Sequence, residues 1–123
     1  MRATVDLDDP TEFDIIKAWN RMADHGDGAV YGRVSSSGTG VHLKVHGCSE
    51  ATVARLRLVC GDDTKRIQFD ENSDLKPKQI LFSSKPNGAV AGDWSQRMET
   101  VLADYRRRCP VGVRYPEAPK PGR

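Results

Sequence analysis

Three short stretches alternate apolar and polar residues with a period of two, and that pattern limits the fold more than anything else in the chain. In residues 3–8, Ala3, Val5 and Leu7 are apolar while Thr4, Asp6 and Asp8 are polar. In residues 29–35, Val30, Gly32 and Val34 alternate with Tyr31, Arg33 and Ser35. In residues 41–46, Val41, Leu43 and Val45 alternate with His42, Lys44 and His46. A strand sends successive side chains to opposite faces, so each stretch predicts a strand buried on one side only. Residues 65–70 repeat the pattern, with Ile67 and Phe69 against Arg66, Gln68 and Asp70, and predict a fourth strand. The apolar run at 79–83 predicts a fifth.

Between these stretches the period changes to that of a helix. Asp9, Pro10 and Glu12 read as N-cap, first turn and capping-box acid of a helix whose stripe is Phe13, Ile15, Ile16, Trp19, Met22 and Ala23. His25 to Gly28 ends it. Ser49 suits the cap of a second helix with Val53, Leu56 and Val59 inward and Gly61 at its end. Asp93 is placed to cap a last helix that buries Trp94, Met98, Val101, Leu102 and Tyr105 and closes on Arg106, Arg107 and Arg108. The cations there suit the negative end of a helix. Prolines crowd the stretch after Cys109, which predicts a frayed tail over 110–123 and a single domain over 1–109.

Strand, helix, strand, strand, helix, strand is the ferredoxin-like or RNA-recognition-type βαββαβ order, an α+β class with both helices on one face of the sheet, extended here by a further strand and helix. The expected strand order is fourth, first, third, second. With 123 residues there is room for one core and no second domain. The net charge of +2 sets up no global basic field, so a nucleic-acid partner would have to be held by a local patch. Three widely spaced cysteines without a CxxC pair read as reduced thiols, and no apolar run is long enough to span a bilayer. The expectation is a cytoplasmic protein with no membrane partner.

In the expected topology the polar sets share the uncovered face. Asp6 and Asp8 then point the same way, with Asp70 reaching them from the neighbouring strand. Carboxylates gathered in this way repel one another unless a cation neutralises them, and clusters of oxygen ligands suit Mg²⁺ or Mn²⁺. His42, Lys44, Arg33 and Arg66 around them could hold a triphosphate. Taken singly, each feature also has a plain structural use: Asp-x-Asp suits a solvated strand face, Lys44 suits solubility, and Tyr31 is an ordinary sheet residue.

Together the three stretches resemble the catalytic core of the archaeo-eukaryotic primase (primase-polymerase) superfamily. The first motif is the strand T-V-D-L-D at 4–8. The second is a small-residue turn running into a histidine strand, S-S-G-T-G-V-H-L-K-V at 36–45. The third is R-I-Q-F-D at 66–70. The resemblance covers 4–70 and implies a metal-dependent nucleotidyltransferase that extends a DNA or RNA primer along a template from nucleoside triphosphates. It implies Asp6, Asp8 and Asp70 as catalytic ligands of Mg²⁺ or Mn²⁺, and His42, Ser37, Gly38 and Gly40 at the nucleotide phosphates beside Lys44, Arg33 and Arg66. Tyr31, Lys76, Lys78 and Lys85 are candidates for contacts to nucleic acid. The family's additional α/β module and zinc element do not fit in this length, so a helicase or a larger primase subunit is an expected partner.

Two other functions fit the same order of elements. A rolling-circle initiator would use His42, His46 and a nucleophilic Tyr105, although three residues rather than one separate the histidines. A non-catalytic RNA-recognition-like module or replication-accessory subunit would bind a single strand on the open sheet, normally with aromatic side chains where this chain has Asp6, Asp8, His42 and Lys44.

Overall fold

The computed structural model describes residues 1–72, 79–84 and 86–109. The elements are β1 (Ala3–Asp8), α1 (Glu12–His25), β2 (Val30–Val34), β3 (Gly40–Val45), α2 (Glu50–Val59), α3 (Thr64–Asn72) and α4 (Met98–Arg108). The three strands form one antiparallel sheet in the order β1-β3-β2. Among the described residues the fold is therefore α+β, a three-stranded sheet with four helices.

The alternation works as expected. Ala3, Val5 and Leu7 of β1, Val30 and Val34 of β2, and Val41, Leu43 and Val45 of β3 are all buried on one face. Helix α1 crosses that face against β2 and β3, with α2 over β1 and α4 over β2. Ile15, Ala18, Trp19 and Met22 of α1, Val53 and Leu56 of α2, and Val101, Leu102 and Tyr105 of α4 complete the core. Two large apolar residues assigned inward face water instead, Phe13 and Val59. Ser49 caps α2, as its position suggests, by accepting from the Thr52 amide.

The cap of α1 differs from expectation. Thr11 and Asp14 form the capping box, while Asp9 lies in the left-handed region at φ 51°. Its amide donates to Thr39 O at 2.8 Å, carrying the β1–β3 ladder one residue into the turn. An Asp tolerates that backbone, so it serves the turn and leaves the cap to Thr11. Helix α4 also begins later than expected, at Met98 with Arg97 as its N-cap residue; Asp93 does not cap it.

The larger correction concerns residues 65–70, which are helical within α3 and form no strand. The segment 79–83 forms no strand either; next to it lie an isolated bridge between Ser84 and Val90 and a bond from the Ala91 amide to Ser83 O at 2.7 Å. The outer edge of β1, where a fourth strand would sit in the ferredoxin-like order, is satisfied by other means. The Asp6 amide donates to Asp62 Oδ1 at 2.8 Å, the Asp63 amide to Asp6 O at 3.1 Å, and the Thr4 amide to Gln79 Oε1 at 2.9 Å. The buried groups of α3 explain why alternation misled. Ile67 is only half-buried and Phe69 is 56% exposed, while Asp70 is buried and Arg66 half-buried. This helix turns charges inward, and a hydrophobic pattern cannot report that. The predicted tail at 110–123 lies outside the described residues.

Candidate functional site

Antiparallel pairing sets Asp6 opposite His42 and His42 opposite Arg33, one row across all three strands. Two residues along, Thr4, Lys44 and Tyr31 form the next row on the same face. In the first row the Arg33 Nε donates to His42 Nδ1 at 3.0 Å, and His42 Nε2 stands 3.7 Å from Asp6 Oδ1. Because Nδ1 accepts, the neutral ring carries its proton on Nε2, directed toward Asp6.

Burial decides the charges. It pushes the His42 pKa down from 6.5 to about 4, helped by the positive charges of Arg33 and Arg66. His42 is therefore neutral near pH 7, and at 3.7 Å its approach to Asp6 is neither an ion pair nor a closed hydrogen bond. Asp6 is pushed the other way, from 3.8 up to about 6, first by burial, against the opposing pull of Arg66, and further by the carboxylates of Asp62, Asp63 and Asp8. This carboxylate lacks adequate counter-charge.

Beside the row lies a cleft of about 870 Å³. Asp6, Asp8 and Asp63 line one side with His42; Ser35, Ser37, Thr39 and Gly40 line the turn; Phe82, Ser84 and Pro86 face them. The Ser35–Gly40 turn is braced by its own hydroxyls: Ser35 Oγ lies 3.1 Å from Ser37 Oγ and accepts from the Gly40 amide at 3.0 Å. Ser37 Oγ also lies 2.8 Å from Thr39 Oγ1. Gly38 takes φ 77°, a conformation side chains resist, and a Cβ on Gly40 would stand 2.6 Å from Leu7 O. The glycines here shape the turn and let it approach β1.

The other expected site residues are distributed differently. Asp70, expected beside Asp6 and Asp8, is a corrected assignment: it sits on α3, ion-paired to Arg57 at 2.7 Å and accepting from the Gln79 amide at 3.0 Å. Arg66 is held by Asp62 Oδ1 at 2.7 Å, by Ile80 O at 3.1 Å and by the Thr4 hydroxyl, so its donors serve the structure. Lys44 and Tyr31 lie in the second row, away from the cleft. Lys76, Lys78 and Lys85 lie outside the described residues. Tyr105 is fully buried with its hydroxyl donating to Pro10 O at 2.9 Å, which removes the nucleophile that a rolling-circle initiator would need.

Sequence reasoning missed Asp63 and Asp62. The signal was present in Gly61-Asp62-Asp63-Thr64, a helix stop followed by an acid that caps the next helix; the Asp63 carboxylate accepts from the Lys65 amide at 2.9 Å. Among the described residues no three His, Cys, Asp or Glu side chains gather into a group that could hold a metal ion. Mg²⁺ asks for less than that, often one or two carboxylates with water and phosphate oxygens supplying the rest. Asp6 and Asp8, both opening on the cleft and the first short of counter-charge, fit that requirement. No helix among the described residues is long and apolar enough to cross a membrane. The chain matches no family model, no curated protein and no solved structure.

Proposed function

We propose that this chain is a metal-dependent nucleotidyltransferase of primase-polymerase type, which adds nucleotides to a DNA or RNA primer. The observation that carries the reading is the Asp6–His42–Arg33 row, whose Asp6 and His42 open on one cleft together with Asp8, Asp63 and the Ser35–Gly40 turn, with Arg33 bracing His42 from behind. Asp6 and Asp8 are the ligands we assign to Mg²⁺ or Mn²⁺; Asp63 lines the same cleft, where its charge bears on Asp6 without making a third ligand. Such an ion supplies charge neutralisation at the α-phosphate and activation of the 3′-hydroxyl.

The remaining roles belong to the chain itself. Arg33 fixes the His42 ring by its bond to Nδ1, which leaves Nε2–H as a donor aimed into the cleft. A phosphate oxygen entering there competes with Asp6 for that proton and is met by a neutral donor that does not need to be charged. Ser37 and Thr39 hydroxyls supply further donors on the turn side. The Asp6 carboxyl keeps its proton up to about pH 6 and would give it up on taking a cation, so uptake of the ion below that pH would release a proton.

Incubation with template, labelled nucleotides and Mg²⁺ or Mn²⁺ tests the assignment. Incorporation by the wild type is expected to fall at least about 100-fold in Asp6→Ala/Asp8→Ala and comparably in His42→Ala, the scale on which loss of one positioned donor acts. Calorimetry with Mn²⁺ should show uptake in the wild type and none in the double variant. Equal incorporation by wild type and double variant, or no uptake of Mn²⁺ by the wild type, sinks the reading.

A further inference from the structure

We propose that Arg2, Arg33, Lys44, Trp94 and Tyr31 form a second site, distinct from the cleft, that binds a single strand of nucleic acid through its phosphates and bases. As the surface that holds the template it rests on the transfer reading for its purpose, but its test does not depend on transfer.

The starting point is Trp94, which the sequence suggested as a core residue. It is half-exposed instead and carries two cations on its ring: the Lys44 Nζ at 4.1 Å and the Arg33 Cζ at 4.3 Å from the ring centroid. The Lys44 Nζ also stands 5.5 Å from the Tyr31 ring, which meets His46 edge-on at 6.3 Å. Arg2, Arg33, Lys44 and Trp94 line a cavity of about 320 Å³, closed on another side by Ile80, Leu81 and Ser83.

What this cavity lacks among the described residues is an acid. No carboxylate lies within ion-pair distance of Lys44 or Arg2, and the Lys44 ammonium has no hydrogen-bond acceptor there. Arg33 spends Nε on His42 and Nη2 on Leu81 O at 3.2 Å, neither of them anionic. Burial and the charges of Arg2 and Arg33 lower the Lys44 pKa, the cost of gathering like charges without a counter-ion. The chain's other inward arginines, Arg57 and Arg66, are each met by a carboxylate. A cation cluster that is left unneutralised and seated on aromatic rings suits a polyanion that also brings flat rings. Single strands offer both, phosphates to the cations and unpaired bases to Trp94 and Tyr31, whereas a duplex hides its bases. Arg33 touches both sites, at Trp94 and at His42, so a strand held here runs up to the edge of the cleft.

Fluorescence anisotropy of a labelled oligothymidylate with the whole chain tests this, read at about 50 and 200 mM salt. Saturable binding is expected, with quenching of the Trp94 emission followed in a Trp19→Phe background. Arg2→Ala/Lys44→Met should weaken binding at least tenfold and flatten the salt slope by about 0.7 for each lost phosphate contact. Arg2→Ala alone, at an exposed position, should show part of that loss without disturbing the fold. Lys17→Met, which removes a cation on α1 outside both cavities, should bind the strand as the wild type does. The site is refuted by absence of saturable binding, by unquenched Trp94, by unchanged affinity in the double basic variant, or by inorganic polyphosphate of matched charge competing as well as the oligonucleotide. Strand binding without transfer sinks only the enzymatic reading; transfer with unaltered strand affinity in Arg2→Ala/Lys44→Met sinks only this site.

Discussion

Two groups of charged residues flank β1, and they are built on opposite plans. At its outer edge Arg57 donates to Asp62 at 2.6 Å and to Asp70 at 2.7 Å, while Arg66 donates to the other Asp62 oxygen at 2.7 Å. Two cations meet two carboxylates, all inward-facing, and of the buried polar atoms in this group the Arg57 Nη2 alone has no partner among the described residues. On its inner side, Asp6 faces a neutral imidazole and other carboxylates and is driven toward the protonated form. The first group is balanced within itself and holds α2, α3 and β1 together. The second is left short of charge where it opens on a cleft. Balanced buried charges serve the fold, and an imbalance kept beside a cavity points to a ligand that completes it.

The sharpest way to break that comparison is to remove one partner from each group. Arg57→Ala strands Asp62 and Asp70 in a dry setting, and its loss should lower unfolding free energy by about 3–5 kcal/mol. Asp6→Ala should cost far less at pH 7, because it removes a carboxylate whose ionised form the fold disfavours. Urea unfolding of both variants checks this, and similar losses would erase the distinction.

The next effect is one of pH. Asp6 rises from 3.8 to about 6 on folding, so the folded state holds its proton longer and stability falls as pH climbs across that interval. His42 drops from 6.5 to about 4, so the unfolded state takes up the proton first and stability rises as pH climbs from about 4 to 6.5. The two slopes oppose each other over nearly the same range. Relative to wild type, Asp6→Asn should gain stability between pH 4 and 6, and His42→Gln should lose its advantage over the same interval. With Asp6 partly exposed, each difference is on the order of 1–2 kcal/mol. Denaturation midpoints at pH 4, 5, 6 and 7 would decide, and parallel curves for all three proteins would contradict the pairing.

The smallest effect sharpens the assignment of Asp63. Its charge is one of those that raise Asp6, so Asp63→Asn should lower the Asp6 pKa by a fraction of a unit, whereas Asp70→Asn should leave it in place. Titration of the Asp6 carboxyl carbon by NMR reads the shift directly. An equal response to both changes would return Asp70 to the cleft.

How much of this could be read from the chain alone follows the same division. Strands β1, β2 and β3 were legible because their inward residues are aliphatic, and with them came the row of Asp6, His42 and Arg33. Helix α3 was not, because it hides Arg66 and Asp70 and exposes Phe69, the reverse of what periodicity assumes. Losing that strand moved Asp70 out of the site and brought in Asp63, whose capping position was visible but went unread. Trp94 was misjudged for a related reason: large aromatics usually bury themselves against carbon, and this one meets Lys44 and Arg33. Polar partners leave little trace in a pattern of hydrophobicity.

Among the described residues, both borders of the sheet are partly taken up by other chain. Along β2, Gly32 exchanges amide and carbonyl with Ser95, and Val34 O accepts from Gly92; along β1, turns and side chains do the same work. At those positions a neighbouring molecule finds no open ladder on which to template itself. On the β1 side Gln79 covers the Thr4 amide, and the Asp6 amide is covered by Asp62, which Arg57 and Arg66 hold in position. Loosening that clasp would uncover raw backbone, and the first symptom of damage there would be self-association of the protein.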